Sequence, residues 1–256
     1  MIRKLDWKSS HDDRSLNYGI RPAIKSSTVP VRKMWDEGVI LDQGNEGACV
    51  GFGWVGEYLA QPVAPEPQPG AQAANAYAFS VYEDAKQVDE IPGEDYEGTS
   101  VLAGAKVMKS RGFIAGYKWC FGIEDVRDAI IQEGPVVIGI PWKNGMYETG
   151  SDGVVKVSGK LVGGHCLVLT GYDPAFQIGR RKYEVFRWRN SWGAGYGVNG
   201  SGYIKATDLA KLLRGVGEAC VPIGRKSQML SLPAPAINKV SFWQTLKERV
   251  LIFFGR

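Results

Sequence analysis

Apolar residues in the first half of the chain recur at helical spacing. Val50, Trp54, Val55 and Leu59 share one face behind a glycine-rich turn, Gln43-Gly44-Asn45-Glu46-Gly47. They predict a buried helix over Ala48–Leu59, although Gly51, Gly53 and Gly56 weaken it intrinsically. Further helices are expected over Ala73–Val88, over Thr99–Lys109 with a stop near Gly112, and over Ile123–Glu133 with Gly134-Pro135 as the stop. Residues 61–70 hold four prolines and read as a surface excursion. Ile91–Gly98 reads as an acidic loop. Beyond Pro135 the pattern changes. Pro135–Ile140, Cys166–Thr170, Tyr183–Trp188 and Gly202–Ala206 read as strands, and Gly153–Lys160 as a hairpin. Helices first and strands second predict an α+β protein, with a helical lobe, a sheet lobe and a cleft between them.

The ends differ from this core. Residues 1–30 are polar and irregular and read as a surface wrap, with a short inhibitory cover over the cleft as a second reading. Residues 31–226 make the folded domain, and residues 227–240, with Pro233 and Pro235, a linker. Residues 241–256 read as an amphipathic helix capped by Ser241 and carrying Phe242, Trp243, Leu246, Val250 and Phe254. That helix either folds back on its own domain or docks onto a protein partner or a membrane surface.

Composition narrows the function classes. With 256 residues, 44% hydrophobic and 23% charged, the chain can bury a sizeable core. The net charge of +4 comes from scattered lysines and arginines, so nucleic acid is not an expected partner. No apolar h-region follows Met1 and no run is long enough to span a bilayer, which gives a cytoplasmic expectation. Four cysteines, Cys49, Cys120, Cys166 and Cys220, are too far apart for a zinc site and too few for a disulfide scaffold. Only two histidines are present, His11 and His165. Histidine-dependent chemistry therefore has few candidates.

Acyl transfer by a thiol needs a thiolate, a base, a group that orients the base, and donors for the oxyanion. Cys49 stands where the glycine-rich turn meets a predicted helix start, so its thiolate would feel the positive end of the helix dipole. Three blocks carry a resemblance. Leu41-Asp42-Gln43-Gly44-Asn45-Glu46-Gly47-Ala48-Cys49-Val50-Gly51-Phe52 resembles the DQGxxGxC block of papain-like (C1 family) cysteine peptidases. Gly163-Gly164-His165 through Gly171-Tyr172-Asp173 resembles the family's GGHAVxxVGYD strand. Arg189-Asn190-Ser191-Trp192-Gly193 resembles its NSWG block, with Gly202-Tyr203-Ile204 as the strand that follows. The blocks stand in the family's order over roughly residues 31–222.

The resemblance implies a papain-like two-lobe fold whose second lobe is an antiparallel sheet or barrel, and it assigns roles. Cys49 is the nucleophile, His165 its proton partner in a thiolate/imidazolium pair, and Asn190 the group that orients the ring. Gln43 completes the oxyanion hole. Gly47, Gly98, Gly164 and Trp192 line the substrate site, Trp192 also covering the His165–Asn190 hydrogen bond. No metal or cofactor is implied, and the partner is a polypeptide substrate. The sequence departs from the pattern at Glu46, where the family often has cysteine, at Val50, and at Tyr196, where tryptophan is usual. Only a short stretch precedes Gln43, so the resemblance is to bacterial or viral members without a long propeptide, in the cytoplasm or associated with a phage or virion. Beside the peptidase stand two alternatives, a transamidase or deamidase on the same residues and a catalytically silent docking protein. Cys166, next to His165 on a strand, should point to the opposite face and sit in the core.

Overall fold

A computed structural model describes residues 3–10, 12–26, 31–91 and 97–230. His11, most of the acidic loop, the rest of the linker and the helix expected over 241–256 lie outside the described residues.

Helix α1 spans Cys49–Leu59 and is buried along its whole length. Its glycines explain how. A Cβ on Gly51 would lie 2.2 Å from the Ala78 carbonyl oxygen, and one on Gly53 would lie 2.8 Å from Cys166 Sγ. Residues that weaken an isolated helix thus let this one thread between its neighbours. Those are α2 (Ala71–Val88) and α3 (Val101–Ser110) on one side. Ser100 caps α3 by accepting the Ala103 N–H at 3.1 Å. Helix α4 spans Ile123–Gln132, close to its expected bounds.

The sheet lobe contains β1 (Lys33–Met34), β2 (Gly116–Trp119), β3 (Val136–Lys143), β4 (Leu161–Ile178), β5 (Arg181–Arg189), β6 (Ser201–Lys205) and β7 (Glu218–Ile223). Their order is β2-β7-β3-β4-β5-β6, with β1 beside β4, and every pair is antiparallel. Helix α5 (Ala206–Leu213) follows β6 without a turn. One apolar cluster lies among α1, α2 and α3, and a second between the sheet, α4 and α5. The α+β expectation of a helical lobe against a sheet lobe holds.

Three expectations need correction. The hairpin over 153–160 does not form: Val154 and Val155 make single bridges to Tyr203 and Thr149 instead. Gly153 and Gly159, at φ +76° and +85°, bound a loop. Strand β4 is far longer than Cys166–Thr170. Residues 1–30 are more than a wrap. Residues 19–25 do pack on the sheet lobe, with Ile20 fully buried, but residues 3–8 enter the cleft. Among the described residues, no helix is long and apolar enough to cross a membrane.

Candidate active site

Cys49 opens α1, and its N-cap residue Ala48 offers no side-chain cap. The first N–H groups of a helix lack intrahelical partners, so they are available to a developing anion. His165 lies on β4 opposite Ile140 of β3. The next residue ties the two together, because the Cys166 backbone N–H, with those of Asp6 and Val50, lies near enough to the Cys49 sulfur to favour its thiolate against burial. Asn190 follows β5 directly and is held by donating its N–H to the Gly200 carbonyl at 2.9 Å. Gln43 lies on a loop pinned to the NSWG turn. Its N–H donates to the Ser191 carbonyl at 2.9 Å, and the Gly193 N–H donates to the Leu41 carbonyl at 3.0 Å.

The side chains then interlock. His165 Nε2 and Asn190 Oδ1 are 2.8 Å apart. The same oxygen accepts the Ser191 N–H at 2.8 Å, so it is an acceptor and Nε2 must carry the hydrogen. The neutral ring therefore has its lone pair on Nδ1, which is buried without a hydrogen-bond partner. Ser191 Oγ donates to Gln43 Oε1 at 2.6 Å, which turns the Gln43 amide nitrogen outward. One of its hydrogens goes to the Glu46 carbonyl at 2.7 Å, leaving the other for an oxyanion. Ser191 thus orients both amides. It was legible only as part of the motif, with no role attached.

Aromatic rings enclose the imidazole. Trp192 stacks on His165 with centroids 4.8 Å apart, and Trp142 of β3 meets it edge-on at 4.8 Å. Tyr196 stands edge-on to Trp192 at 5.2 Å, filling the place where tryptophan was expected. Trp142 escaped the sequence reading because its strand was ended at Ile140. Its only signal was the continued alternation from Ile138 through Ile140.

The groove beside these residues is filled by the chain's own residues 3–8. Trp7 donates its N–H to the Gly164 carbonyl at 3.0 Å, and Lys8 donates to the Thr99 carbonyl at 3.0 Å. A Cβ on Gly47 would lie 2.3 Å from Asp6 Oδ2, one on Gly98 1.7 Å from the Asp6 carbonyl oxygen, and one on Gly164 2.5 Å from Trp7 Cε3. The Trp192 carbonyl accepts from Arg3 at 3.3 Å. All four residues expected to line a substrate site therefore touch this segment.

Covered in this way, the pair differs from the expected ion pair. Burial pushes the Cys49 thiol up to about 11 and holds the His165 imidazole down at about 4. Both effects favour neutral thiol and neutral imidazole, because charges cost more away from water. Cys166 is buried in the core beside Gly53, and burial raises its thiol well above its ordinary range, as it does for Cys120 and Cys220.

Comparison with solved structures places the fold. Xylellain, a cysteine protease from Xylella fastidiosa, superposes with TM-score 0.60 at 16% identity, covering 88% of this chain and 99% of that one. The bromelain protease from Ananas comosus, in complex with the E64 inhibitor, gives 0.52 at 13% identity, covering 77% and 100%. Procathepsin B S9 from Trypanosoma congolense gives 0.52 at 11% identity, covering 86% and 82%. No curated protein sequence matches. The family model for papain family cysteine proteases matches residues 70–220. That span carries His165, Asn190 and Trp192, whereas Gln43 and Cys49 precede it and stand on their motif and on the geometry above. With more than half of its length matched, the chain belongs to the papain family of cysteine proteases.

Proposed function

We propose that this cysteine peptidase hydrolyses peptide bonds with Cys49 as nucleophile, His165 as proton carrier, Asn190 as the residue that positions His165, and Gln43 as an oxyanion donor. The observation that carries the reading is the fixed tautomer of His165. Its Nε2–H is committed to Asn190, so Nδ1 can only accept a proton, and the N–H of the very next residue lies near enough to the Cys49 sulfur to favour its thiolate.

The steps follow from these positions. When residues 3–8 leave the groove, water reaches the site, and the thiol proton passes to His165 Nδ1. The sulfur, at the start of α1, becomes a thiolate favoured by the helix dipole and by the imidazolium. It attacks the carbonyl carbon of the scissile bond. The developing oxyanion accepts from the Cys49 N–H and from the free hydrogen of Gln43 Nε2. His165 then gives its proton to the leaving amine, and the carbon–nitrogen bond breaks to leave a thioester. A water, deprotonated by His165, attacks the thioester carbon, and the second tetrahedral species expels the thiolate, releasing the acid. Throughout, Trp192 and Trp142 keep bulk water from the His165–Asn190 bond.

Polypeptide is the substrate class the groove favours, because it already seats an extended backbone along Gly47, Gly98, Thr99 and Gly164. A deamidase of side-chain amides would need to seat only one such amide, for which so long a groove is not required.

Intact-mass spectrometry after exposure to the epoxide inhibitor E-64 tests the assignment. Full-length wild type, Trp7→Ala and Cys49→Ala would be compared. We expect a single adduct that appears in Trp7→Ala and is missing from Cys49→Ala. An adduct on Cys49→Ala, or none on folded Trp7→Ala, would refute Cys49 as the nucleophile.

A further inference from the structure

Asp42 precedes the oxyanion glutamine and bridges antiparallel to Trp192, whose ring covers His165. It therefore stands on the leaving-group side of Cys49, because His165 hands its proton to the leaving amine. Its carboxylate and two backbone carbonyls converge on the Arg3 guanidinium. Asp42 Oδ1 accepts from Arg3 Nη1 at 2.8 Å, and Oδ2 from Nη2 at 3.5 Å. The Gly44 carbonyl accepts from Nη1 at 2.7 Å and the Trp192 carbonyl from Nη2 at 3.3 Å. Lys4, next along, instead pairs with Glu97 through side chains that are both about half exposed, as surface ions commonly do.

The bonds that hold these acceptors in place come from the domain, not from Arg3. The Gly44 N–H donates to Asp42 Oδ1 at 3.0 Å and the Asp42 N–H to Asn75 Oδ1 at 3.1 Å, so the carboxylate and its backbone are both fixed. Gly44 takes φ +60°, a left-handed turn that brings its carbonyl to the same guanidinium. The Gly193 N–H donates to the Leu41 carbonyl at 3.0 Å and steadies the Trp192 carbonyl beside it. Gly193 is itself at φ +71°, and a Cβ there would lie 2.8 Å from Asp42 Oδ2. Among the described residues, Arg3 is the one donor that reaches the Gly44 and Trp192 carbonyls. Once residues 3–8 leave the groove, three fixed acceptors face water.

A planar guanidinium suits this arrangement. Its fork spans both carboxylate oxygens and still has hydrogens for two carbonyls, whereas an ammonium gathers its three donors around one point. The distance along the groove fits as well. Arg3 is three residues from Asp6, whose N–H lies near the Cys49 sulfur. At about 3.3 Å per extended residue, a substrate reaches the same place with its second or third residue after the cut.

We propose that Asp42, with the Gly44 and Trp192 carbonyls, forms a guanidinium-binding subsite that selects peptides carrying arginine two or three residues after the scissile bond. Asp42 is a specificity-determining residue, and Arg3 shows how the subsite is filled. The inference rests on the peptidase reading above and gives Asp42 no part in breaking the bond.

The test is digestion of a peptide library of mixed sequence by full-length wild type, Trp7→Ala and Asp42→Asn, with every cut read by mass spectrometry and folding checked by circular dichroism. Asparagine keeps an oxygen for the Gly44 N–H and loses the charge. Wild type and Trp7→Ala should enrich arginine about five- to tenfold at the second or third residue after the cut, the size suited to a charged hydrogen bond at a half-exposed carboxylate. Lysine should be enriched less, and about 0.5 M salt should weaken both preferences. In Asp42→Asn the arginine enrichment should fall to about twofold or less. Enrichment compares peptides within one digest, so it does not depend on how much of the enzyme is open. Cuts without arginine preference in wild type and Trp7→Ala, or an equal preference in Asp42→Asn, would overturn the subsite and leave the peptidase standing. If Asp42→Asn fails to fold, the salt dependence and the order of arginine over lysine decide, and the absence of both would overturn the subsite. No cut by either wild type or folded Trp7→Ala would refute the peptidase reading and the subsite with it.

Discussion

The two anchored ends of the N-terminal segment are built differently. Residues 19–25 are held as core: Ile20 is sealed, and Arg21 reaches a buried carboxylate. Residues 3–8 are held by backbone pairing along a groove, one inserted ring, and close contacts with Gly47, Gly98 and Gly164. That end even carries a cost, since Asp6 Oδ2 is buried with no hydrogen-bond partner. The difference teaches that burial alone does not separate a structural strand from a removable one. The kind of contact does.

The sharpest way to break this comparison is to damage each end in turn. Ile20→Ala leaves a cavity in the sheet-lobe core and should lower global stability by roughly 2–4 kcal/mol in urea melts. Trp7→Ala removes a larger ring, for which a true core position would lose about 3–5 kcal/mol. Its loss should be smaller than that of Ile20→Ala, because it is capped by the free energy with which the segment docks. A Trp7→Ala loss exceeding that of Ile20→Ala would mean that the two ends are alike.

A second, intermediate effect comes from pH. Burial raises Glu218 from 4.5 to about 7, opposed by hydrogen bonds from the Trp7 indole and the Val101 N–H, with the Cys166 and Cys220 thiols nearby. Glu218 also borders a 420 Å³ cavity. Asp6 is raised too, by burial and by Glu97, against Lys8 and Lys4. Groups raised in the closed form hold protons there that the open form releases. Seating residues 3–8 buries the Asp6 carboxyl, so closure weakens as pH rises and Asp6 ionises, while the Trp7 indole N–H on Glu218 favours the ionised Glu218 and works the other way. The ratio of Cys49 alkylation rates, Trp7→Ala over wild type, should fall from pH 5 to pH 8. Taking the ratio cancels the rise of thiolate itself, and a flat or rising ratio would contradict the assignment.

The smallest expected effect has the opposite sign. Asp6→Asn removes a carboxylate that closure must desolvate, so at pH 8 it should slow Cys49 alkylation about two- to fivefold, roughly 0.4–1 kcal/mol of tighter seating. Faster labelling would show that the Asp6 charge holds the segment in place.

Much of the site was legible because its residues sit in local blocks. Gln43 and Cys49 flank one turn, and Asn190, Ser191 and Trp192 follow one strand. What escaped depends on distant pairing. Strands β2 and β7 pair only with the sheet, and Gly116–Trp119 is too short to show a period. Strand β4 was cut short because Gly163, Gly164 and Gly171 interrupt its apolar run where close neighbours, Leu5, Trp7 and Met34, leave no room for side chains. Residues 3–8 left a fainter mark. Leu5 and Trp7 stand two apart in an otherwise polar stretch, the alternation of an extended segment with one buried face. Nothing in residues 1–30 names the groove that receives it, since its partners Thr99, Gly164 and Glu218 come from three remote elements.

The most direct test of the account is casein hydrolysis by full-length Trp7→Ala, with the Trp7→Ala/Cys49→Ala double variant as the control. The account predicts cleavage by the first, faster than by wild type, and none by the second. Equal cleavage by both would remove Cys49 from the chemistry, and no cleavage by folded Trp7→Ala would contradict the reading of an intact peptidase beneath its own N-terminal segment.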